Sequence, residues 1–213
     1  MNILLIGPQG SGKGTQARLL VEKLGFFYFE SGSFLREIAE KNEKVREMLS
    51  VGTFVPDKEM VSYVTAYLDE KGIYDNILFD GFPRSIVQYN FLKSWLNEKQ
   101  VAISLTLVLI ISEEETIRRL SSRRQDPKTG KIYNLITDPP PDDIDKSALV
   151  QREDDKPDAI KKRLGWYRDL VIPLISELKK GTKVVELDGE RPIEEIQADL
   201  VKWINSIQRQ KKR

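Results

Sequence analysis

Five short apolar runs, Ile3 to Ile6, Phe26 to Phe29, Ile77 to Phe79, Leu105 to Ile111 and Val184 to Leu187, alternate with stretches of helical period. Apolar strands separated by amphipathic helices predict an α/β fold: a five-stranded parallel sheet covered on both faces. Two or three short helices are expected between the second and third strands, from Ser33 to about Lys71, punctuated by Gly52 and Pro56. Periodicity fails from about Arg123 to Asp155, where Asp126-Pro127, Thr129-Gly130 and Asp138-Pro139-Pro140-Pro141 are turn signals. Loops longer than about 15 residues in compact domains are usually functional lids or linkers. Ile132, Tyr133, Leu135 and Ile136 supply a small apolar centre, so a compact mobile lid is expected. Helical period returns after Asp154-Asp155, either of which would cap a helix with Pro157 in its first turn, running to about Lys180 and bending near Pro173. A last helix, Pro192 to about Gln208, leads into the basic tail Lys211-Lys212-Arg213, which reads as a solvated end.

At 213 residues the chain suits one domain with an inserted or mobile piece. Its 34 Lys+Arg against 33 Asp+Glu leave no overall excess of charge to attract nucleic acid or an anionic membrane. With no cysteine and no histidine, disulfides and a thiolate zinc site are excluded. The longest apolar run, Val101 to Ile111, is about half what a bilayer-spanning helix needs, so no membrane segment is expected. A strand opens the chain with no room before it for a secretory leader, which predicts a cytoplasmic protein.

The chemistry starts behind the first strand. Gly7-Pro8-Gln9-Gly10-Ser11-Gly12-Lys13-Gly14-Thr15 lets the backbone turn tightly with its N–H groups inward, at a helix start, beside a lysine. That is a cradle for a polyphosphate rather than a bare strand-to-helix turn. The generic phosphate-loop pattern places Ser or Thr directly after the lysine; here Gly14 stands there and Thr15 follows. Asp80 closes the strand Ile77-Leu78-Phe79 before Gly81-Phe82-Pro83-Arg84, which sends its carboxylate to the carboxyl edge of the sheet, where ligands bind in such folds. An acid there suits Mg²⁺ held through water, and otherwise reads as a turn former. Arg84 and Gln88, and likewise Arg119 and Arg123, are four apart and so expected on one helix face.

Gly12-Lys13-Gly14-Thr15-Gln16 and Asp80-Gly81-Phe82-Pro83-Arg84 resemble the nucleoside monophosphate kinases, and the adenylate kinase family of the long-lid bacterial type most of all, from Met1 to about Pro192. The resemblance implies a phosphate-loop three-layer fold and reversible transfer from ATP·Mg²⁺ to AMP, giving two ADP. It implies a core of residues 1–30, 56–122 and 156–213, a monophosphate-binding arm at 31–55 and a lid at 123–155. Gly10, Ser11, Gly12, Lys13, Gly14 and Thr15 would cradle the ATP phosphates. Ser31, Arg36, Phe54, Val55, Gly81, Arg84 and Gln88 would form the AMP site, with Gln88 reading the adenine edge. Arg119, Arg123, Arg152 and Arg163 would surround the transferring phosphoryl group, while Arg118, Arg124, Lys161 and Lys162 would face solvent. Tyr133 and Asn134 would pack against the ATP ribose, and the backbone near Arg191 against its adenine. A monomer is implied.

Two positions depart from the family pattern. Ser33 stands where an acid is usual, which would alter the Mg²⁺ network, and Ser122 replaces the glycine before Arg123, which would stiffen the lid hinge. Zinc is not expected in this lid; Gln125, Asp126, Asp142, Asp143 and Asp154 would form a polar network in its place or simply be solvated. A UMP/CMP-type kinase is the nearest rival, though such enzymes usually carry a short lid and another base reader. A non-catalytic nucleotide sensor on the same fold is the rival of another class; it predicts decay at Lys13, Asp80, Arg84 or Arg123, and all four are present.

Overall fold

β1 (Asn2–Ile6) is buried along its whole length, and its alternate side chains feed two different cores in the computed structural model, which describes residues 1–50 and 53–211. Gly52, and Lys212 and Arg213 of the basic tail, lie outside the described residues. Then come α1 (Lys13–Leu24), β2 (Phe27–Glu30), α2 (Ser31–Lys41), α3 (Glu43–Ser50), α4 (Asp57–Lys71), β3 (Ile77–Asp80), α5 (Ile86–Glu98), β4 (Ile103–Ile110) and α6 (Glu113–Ser121). β5 (Arg123–Gln125), β6 (Ile132–Asn134), α7 (Pro157–Trp166), α8 (Ile172–Gly181), β7 (Val184–Asp188) and α9 (Ile193–Lys211) complete the order.

The five strands predicted from the apolar runs form one parallel sheet in the order β2-β3-β1-β4-β7. Leu4 and Ile6 face a core with Phe29, Phe79 and Val108, roofed by Val64 and Leu68 of α4, Leu92 and Leu96 of α5 and Leu174 of α8. Ile3 and Leu5 face the opposite core, with Ala17 and Leu20 of α1 and Leu200 and Ile204 of α9. This is the three-layer α/β fold of phosphate-loop proteins, and its strands all end at the edge that carries the candidate residues. The strand order reverses around β1, so the glycine-rich turn leaves the sheet at its centre.

Residues 123–155 hold an antiparallel β5–β6 hairpin, with isolated bridges from Gln125 to Val150 and Asn134 to Asp138. Its apolar centre is smaller than expected. Tyr133 is buried, but Leu135 and Ile136 are exposed, because Asn134 Oδ1 accepts the amides of Ile136 and Thr137 and turns that corner outward.

Two helical expectations are corrected. The N-cap of α7 is Lys156, without a side-chain cap; Glu153–Asp155 form a 3₁₀ turn and Asp155 is turned inward instead. The expected bend at Pro173 takes the form of a π-helical turn, Tyr167–Val171, between α7 and α8, with Pro173 in the first turn of α8. Proline has no N–H to donate, and one turn widens to absorb the mismatch.

Asn2 is fully buried and ties the sheet together at its amino edge: Nδ2 donates to Tyr74 O at 2.9 Å and Oδ1 accepts from Ile77 N at 3.1 Å. Asn2→Ala strands both backbone groups, and is expected to cost about 1–3 kcal/mol, read as a lower urea midpoint at unchanged slope.

Candidate active site

The turn after β1 is shaped by residues in the left-handed region, Gly10 at φ 80° and Gly12 at φ 90°. Gly12 is the N-cap of α1 and has no side chain with which to cap, so the first-turn amides are left for a partner outside the helix. Lys13, the first helical residue, folds its ammonium back over the turn and donates to Gly7 O at 2.8 Å and Pro8 O at 2.7 Å. Burial lowers its pKa from 10.5 to about 8; Asp80 opposes that fall, and Arg84, Arg163 and Arg123 add to it.

Glu30 and Asp80 end neighbouring strands in register, so two acids stand side by side at the carboxyl edge. Asp80 is 6% exposed; burial and Glu30 push its pKa up, against Lys13, Arg84 and the Tyr28 hydroxyl, which donates to Oδ2 at 2.9 Å. Gly81 follows at φ 72°, where a Cβ would stand 2.6 Å from Ser31 Oγ. Its carbonyl accepts from Ser31 Oγ at 2.8 Å and Arg84 Nε at 2.7 Å, and Arg84 Nη2 donates to Ser31 Oγ at 3.1 Å. Ser33, the departure from the family acid, donates to Glu30 Oε2 and accepts from Arg36 Nη2, both at 2.9 Å. A carboxylate therefore still lies beside that position, supplied by the residue that ends β2. Phe54 lies under Arg84, 5.2 Å from guanidinium carbon to ring centroid, and stacks on Trp166 at 4.2 Å; Val55 is buried beside it.

Arg123 meets the buried Asp155 in a two-point contact, Nε to Oδ2 at 2.7 Å and Nη2 to Oδ1 at 2.5 Å. Arg163 pairs with Asp154 at 2.9 Å and approaches Asp155 at 3.6 Å. Burial and Arg123 press the Arg163 pKa down to about 10 against the pull of Asp154, and burial with Arg123 and Arg36 does the same to Arg152, also to about 10. These mutual effects place Lys13, Arg36, Arg84, Arg123, Arg152 and Arg163 in one electrostatic neighbourhood. Neighbouring Arg118, Lys161 and Lys162 are exposed, while Arg124 is half-buried and donates to Ser121 O and Arg123 O.

Several candidates stand elsewhere or are held differently. Arg123 is not on the helix of Arg119, because α6 ends at Ser121 and Arg123 opens β5. Arg119 donates instead to Gly189 O at 3.0 Å and Gly10 O at 3.3 Å, with Glu115 as its countercharge. Arg118 and Arg119 hold Glu115 down to about 2. Arg84 precedes Ser85, the N-cap of α5, so it shares no helix face with Gln88. Gln88 reaches back to it all the same: its Oε1 accepts from Arg84 N at 2.7 Å. Tyr133 is buried within the hairpin, and Asn134 Nδ2 donates to Arg119 O at 2.8 Å. Arg191 pairs with Asp199 at 2.8 Å. Gly189 packs its backbone against Ser11 O, so the 188–192 loop does border the glycine-rich turn. Ser122 is an ordinary right-handed C-cap.

Gln125, Asp126, Asp142, Asp143 and Asp154, expected either to form a polar network or to be solvated, do not form one network. Gln125 accepts Arg152 Nε at 2.9 Å, Asp126 takes Lys128 N and Thr129 Oγ1, Asp154 pairs with Arg163, and Asp142 is open to solvent. Among the described residues no group of three or more His, Cys, Asp or Glu is placed to hold a metal. Mg²⁺ asks for less, since it keeps several waters and needs one or two carboxylates. Asp80 fits: Tyr28 engages Oδ2, and no hydrogen bond from the described residues reaches Oδ1.

Sequence reasoning missed Asp57, Asp155 and Trp166. One signal was readable, for Ser85-Ile86-Val87-Gln88 has the spacing of a capping box and marks Gln88 as a side chain that turns back on its helix start.

A model of the adenylate kinase family matches residues 5–183. The chain is 33% identical to the adenylate kinase of Salinibacter ruber, over 98% of this chain and all of that one. It is also 33% identical to that of Petrotoga mobilis, over 99% of this chain and all of that one. With the adenylate kinase of Pyrococcus furiosus the identity is 37%, over 92% of each chain.

Asp155→Ala would leave Arg123 and Arg163 facing each other with a buried countercharge gone. A loss of about 3–5 kcal/mol is expected, measured by urea denaturation against wild type.

Proposed function

The chain belongs to the adenylate kinase family, and we propose that its residues divide the transfer between ATP·Mg²⁺ and AMP as follows. It is an enzyme of phosphoryl transfer whose substrates are nucleotides. The observation that carries the assignment of roles is that Arg84, Arg123 and Arg163 act on Lys13 at the amide-lined start of α1, with Arg152 and Arg36 linked to them in turn. Little covalent work falls to the protein in such a transfer; it must align two anions and neutralise the charge that spreads over the moving group.

Gly10, Ser11, Gly12, Gly14 and Thr15 cradle the ATP phosphates with backbone N–H groups, and Lys13 swings its ammonium from the loop carbonyls to them. Mg²⁺ bound with ATP neutralises phosphate charge, and Asp80 would hold it through water. Arg36 and Arg84 grip the acceptor phosphate, whose oxygen is already ionised, so no general base is needed. Arg123, Arg152 and Arg163 face the transferring group. Phe54, Val55 and Gln88 take the acceptor base, and the 188–192 loop takes the donor base near the cleft lined by Ile110, Ser112, Leu187 and Asp188. Residues 123–155 act as the lid and 31–55 as the monophosphate-binding arm; their closure excludes water, the competing acceptor. Zinc has no place in this lid, since the chain has neither cysteine nor histidine.

Among the described residues no helix is long and apolar enough to cross a membrane. The near balance of charge argues against a nucleic-acid partner, and a cytoplasmic monomer is our reading from the family resemblance.

The reading is tested by incubating metal-stripped protein with Mg²⁺, ATP and AMP, UMP, CMP or GMP, and separating the diphosphates by chromatography. ADP forming with AMP alone is expected. Transfer mainly to UMP or CMP overturns the base assignment, and no transfer to any acceptor overturns the division of roles. In the same assay Arg84→Ala and Arg123→Ala should lower kcat by about 10³-fold or more. Arg119→Ala, which unties the loop from Gly189, should instead raise the KM for ATP.

A pH dependence follows from Lys13. With its pKa at about 8, the free protein holds this lysine mostly charged at neutral pH and mostly neutral at pH 9. A bound triphosphate demands the ammonium, so above pH 8 binding takes up a proton and ATP affinity falls by up to about tenfold per pH unit. Calorimetry in buffers of different ionisation enthalpy should detect that uptake. Lys13→Arg, charged throughout, should flatten the slope.

A further inference from the structure

Gln88 is 5% exposed at the start of α5, and both ends of its side-chain amide are held. Oε1 accepts from the Arg84 amide at 2.7 Å, and Nε2 donates to Asp57 Oδ1 at 2.8 Å. The second oxygen of Asp57 accepts from Ser85 Oγ at 2.9 Å, and that hydroxyl accepts in turn from the Gln88 backbone amide at 3.1 Å. Asp57 comes from the first turn of α4, so this short network joins the starts of two helices.

The directions of these bonds are forced. A backbone N–H only donates and a carboxylate only accepts. The oxygen of the Gln88 amide must therefore face Arg84, and its nitrogen must face Asp57. Turning the amide over would set NH₂ against N–H at one end and oxygen against carboxylate at the other. A glutamine amide has two acceptor positions and two N–H donors, so each end uses one and keeps one. What remains is an acceptor beside a donor, in a fixed order.

We propose that Asp57 is a positioning residue that, together with the Arg84 backbone amide, holds the polarity of the Gln88 amide and thereby selects the acceptor base; the proposal rests on the reading of Gln88 as the residue that meets that base. Adenine presents an amino donor at C6 beside the acceptor N1. Hypoxanthine and guanine present the reverse, a carbonyl at C6 beside N1–H, which the locked amide meets donor to donor and acceptor to acceptor. Unmatched buried pairs of that kind discriminate far more strongly than shape. Cytosine carries the same order of groups as adenine, so the lock does not reject CMP; that falls to the size of the pocket.

The test compares kcat/KM for AMP and for IMP, with ATP·Mg²⁺ held constant, in the wild-type chain, Asp57→Ala, Asp57→Asn and Gln88→Leu. IMP differs from AMP in just the two groups that the amide faces. In Asp57→Ala the preference for AMP should fall by about 10- to 100-fold, mostly as a higher KM for AMP, while the KM for ATP stays within about twofold. Asp57→Asn keeps the volume but offers one acceptor to two donors, so its preference should lie between those of wild type and Asp57→Ala; it carries the test alone if the alanine variant does not fold. A preference kept in the Asp57 variants but lost in Gln88→Leu overturns the proposal and spares the reading of Gln88. A preference kept in Gln88→Leu overturns that reading and the proposal with it. Damage that is merely structural lowers AMP and IMP turnover together, leaves the ratio at its wild-type value, and so also counts against the proposal.

Discussion

Six cationic side chains lie close enough to influence one another's charge, and their mutual repulsion is the constraint around which the site is arranged. Two unit charges about 4 Å apart repel by about 4 kcal/mol at an effective dielectric near 20, so gathering them requires countercharges built into the frame. Asp155 is the deepest of these, fully buried between Arg123 and Arg163. Asp154 holds Arg163 from another side, and Asp80 draws on both Lys13 and Arg84. Asp155 and Asp80 each draw on a cation remote in sequence, Arg123 and Lys13, so neutralising the charge also assembles the site.

The sheet decides where this happens. Parallel strands point the same way, so every one of them releases its chain at one edge. The two acids that end β2 and β3 stand in register there, opposite the turn after β1. The apolar alternation of β1 serves both cores at once, which makes the glycine-rich turn the outlet of the most buried strand.

Much of this was legible in the chain. Apolar runs marked all five strands of the sheet: β1 and β3 are buried along their whole length, and the others keep enough apolar positions to show even where Glu186 interrupts β7. The glycine-rich turn and Asp80 were legible because their spacing is itself the chemistry. What stayed hidden depends on where an element ends. Arg119 and Arg123 share a face only if the helix continues through both, and α6 stops at Ser121. Gln88 follows Arg84 by four residues, yet its contact is a side chain folding back past Ser85 rather than a shared helix face. Pro173 announced a break, but a missing N–H does not say which turn will widen, and the widened turn lies at Tyr167–Val171. Asp57 and Trp166 carry no local signal, since their partners are remote in sequence.

The Arg123–Asp155 pair joins residues 32 apart and so pins the β5–β6 segment at its neck. A chain tethered at two fixed points behaves as a ring, and the entropy of closing a ring grows only with the logarithm of its length. Doubling the residues between the anchors adds about 0.6 kcal/mol, less than a single buried methylene contributes. As long as the neck is held, the stretch it encloses is free to lengthen or shorten over generations with little effect on the sheet beneath.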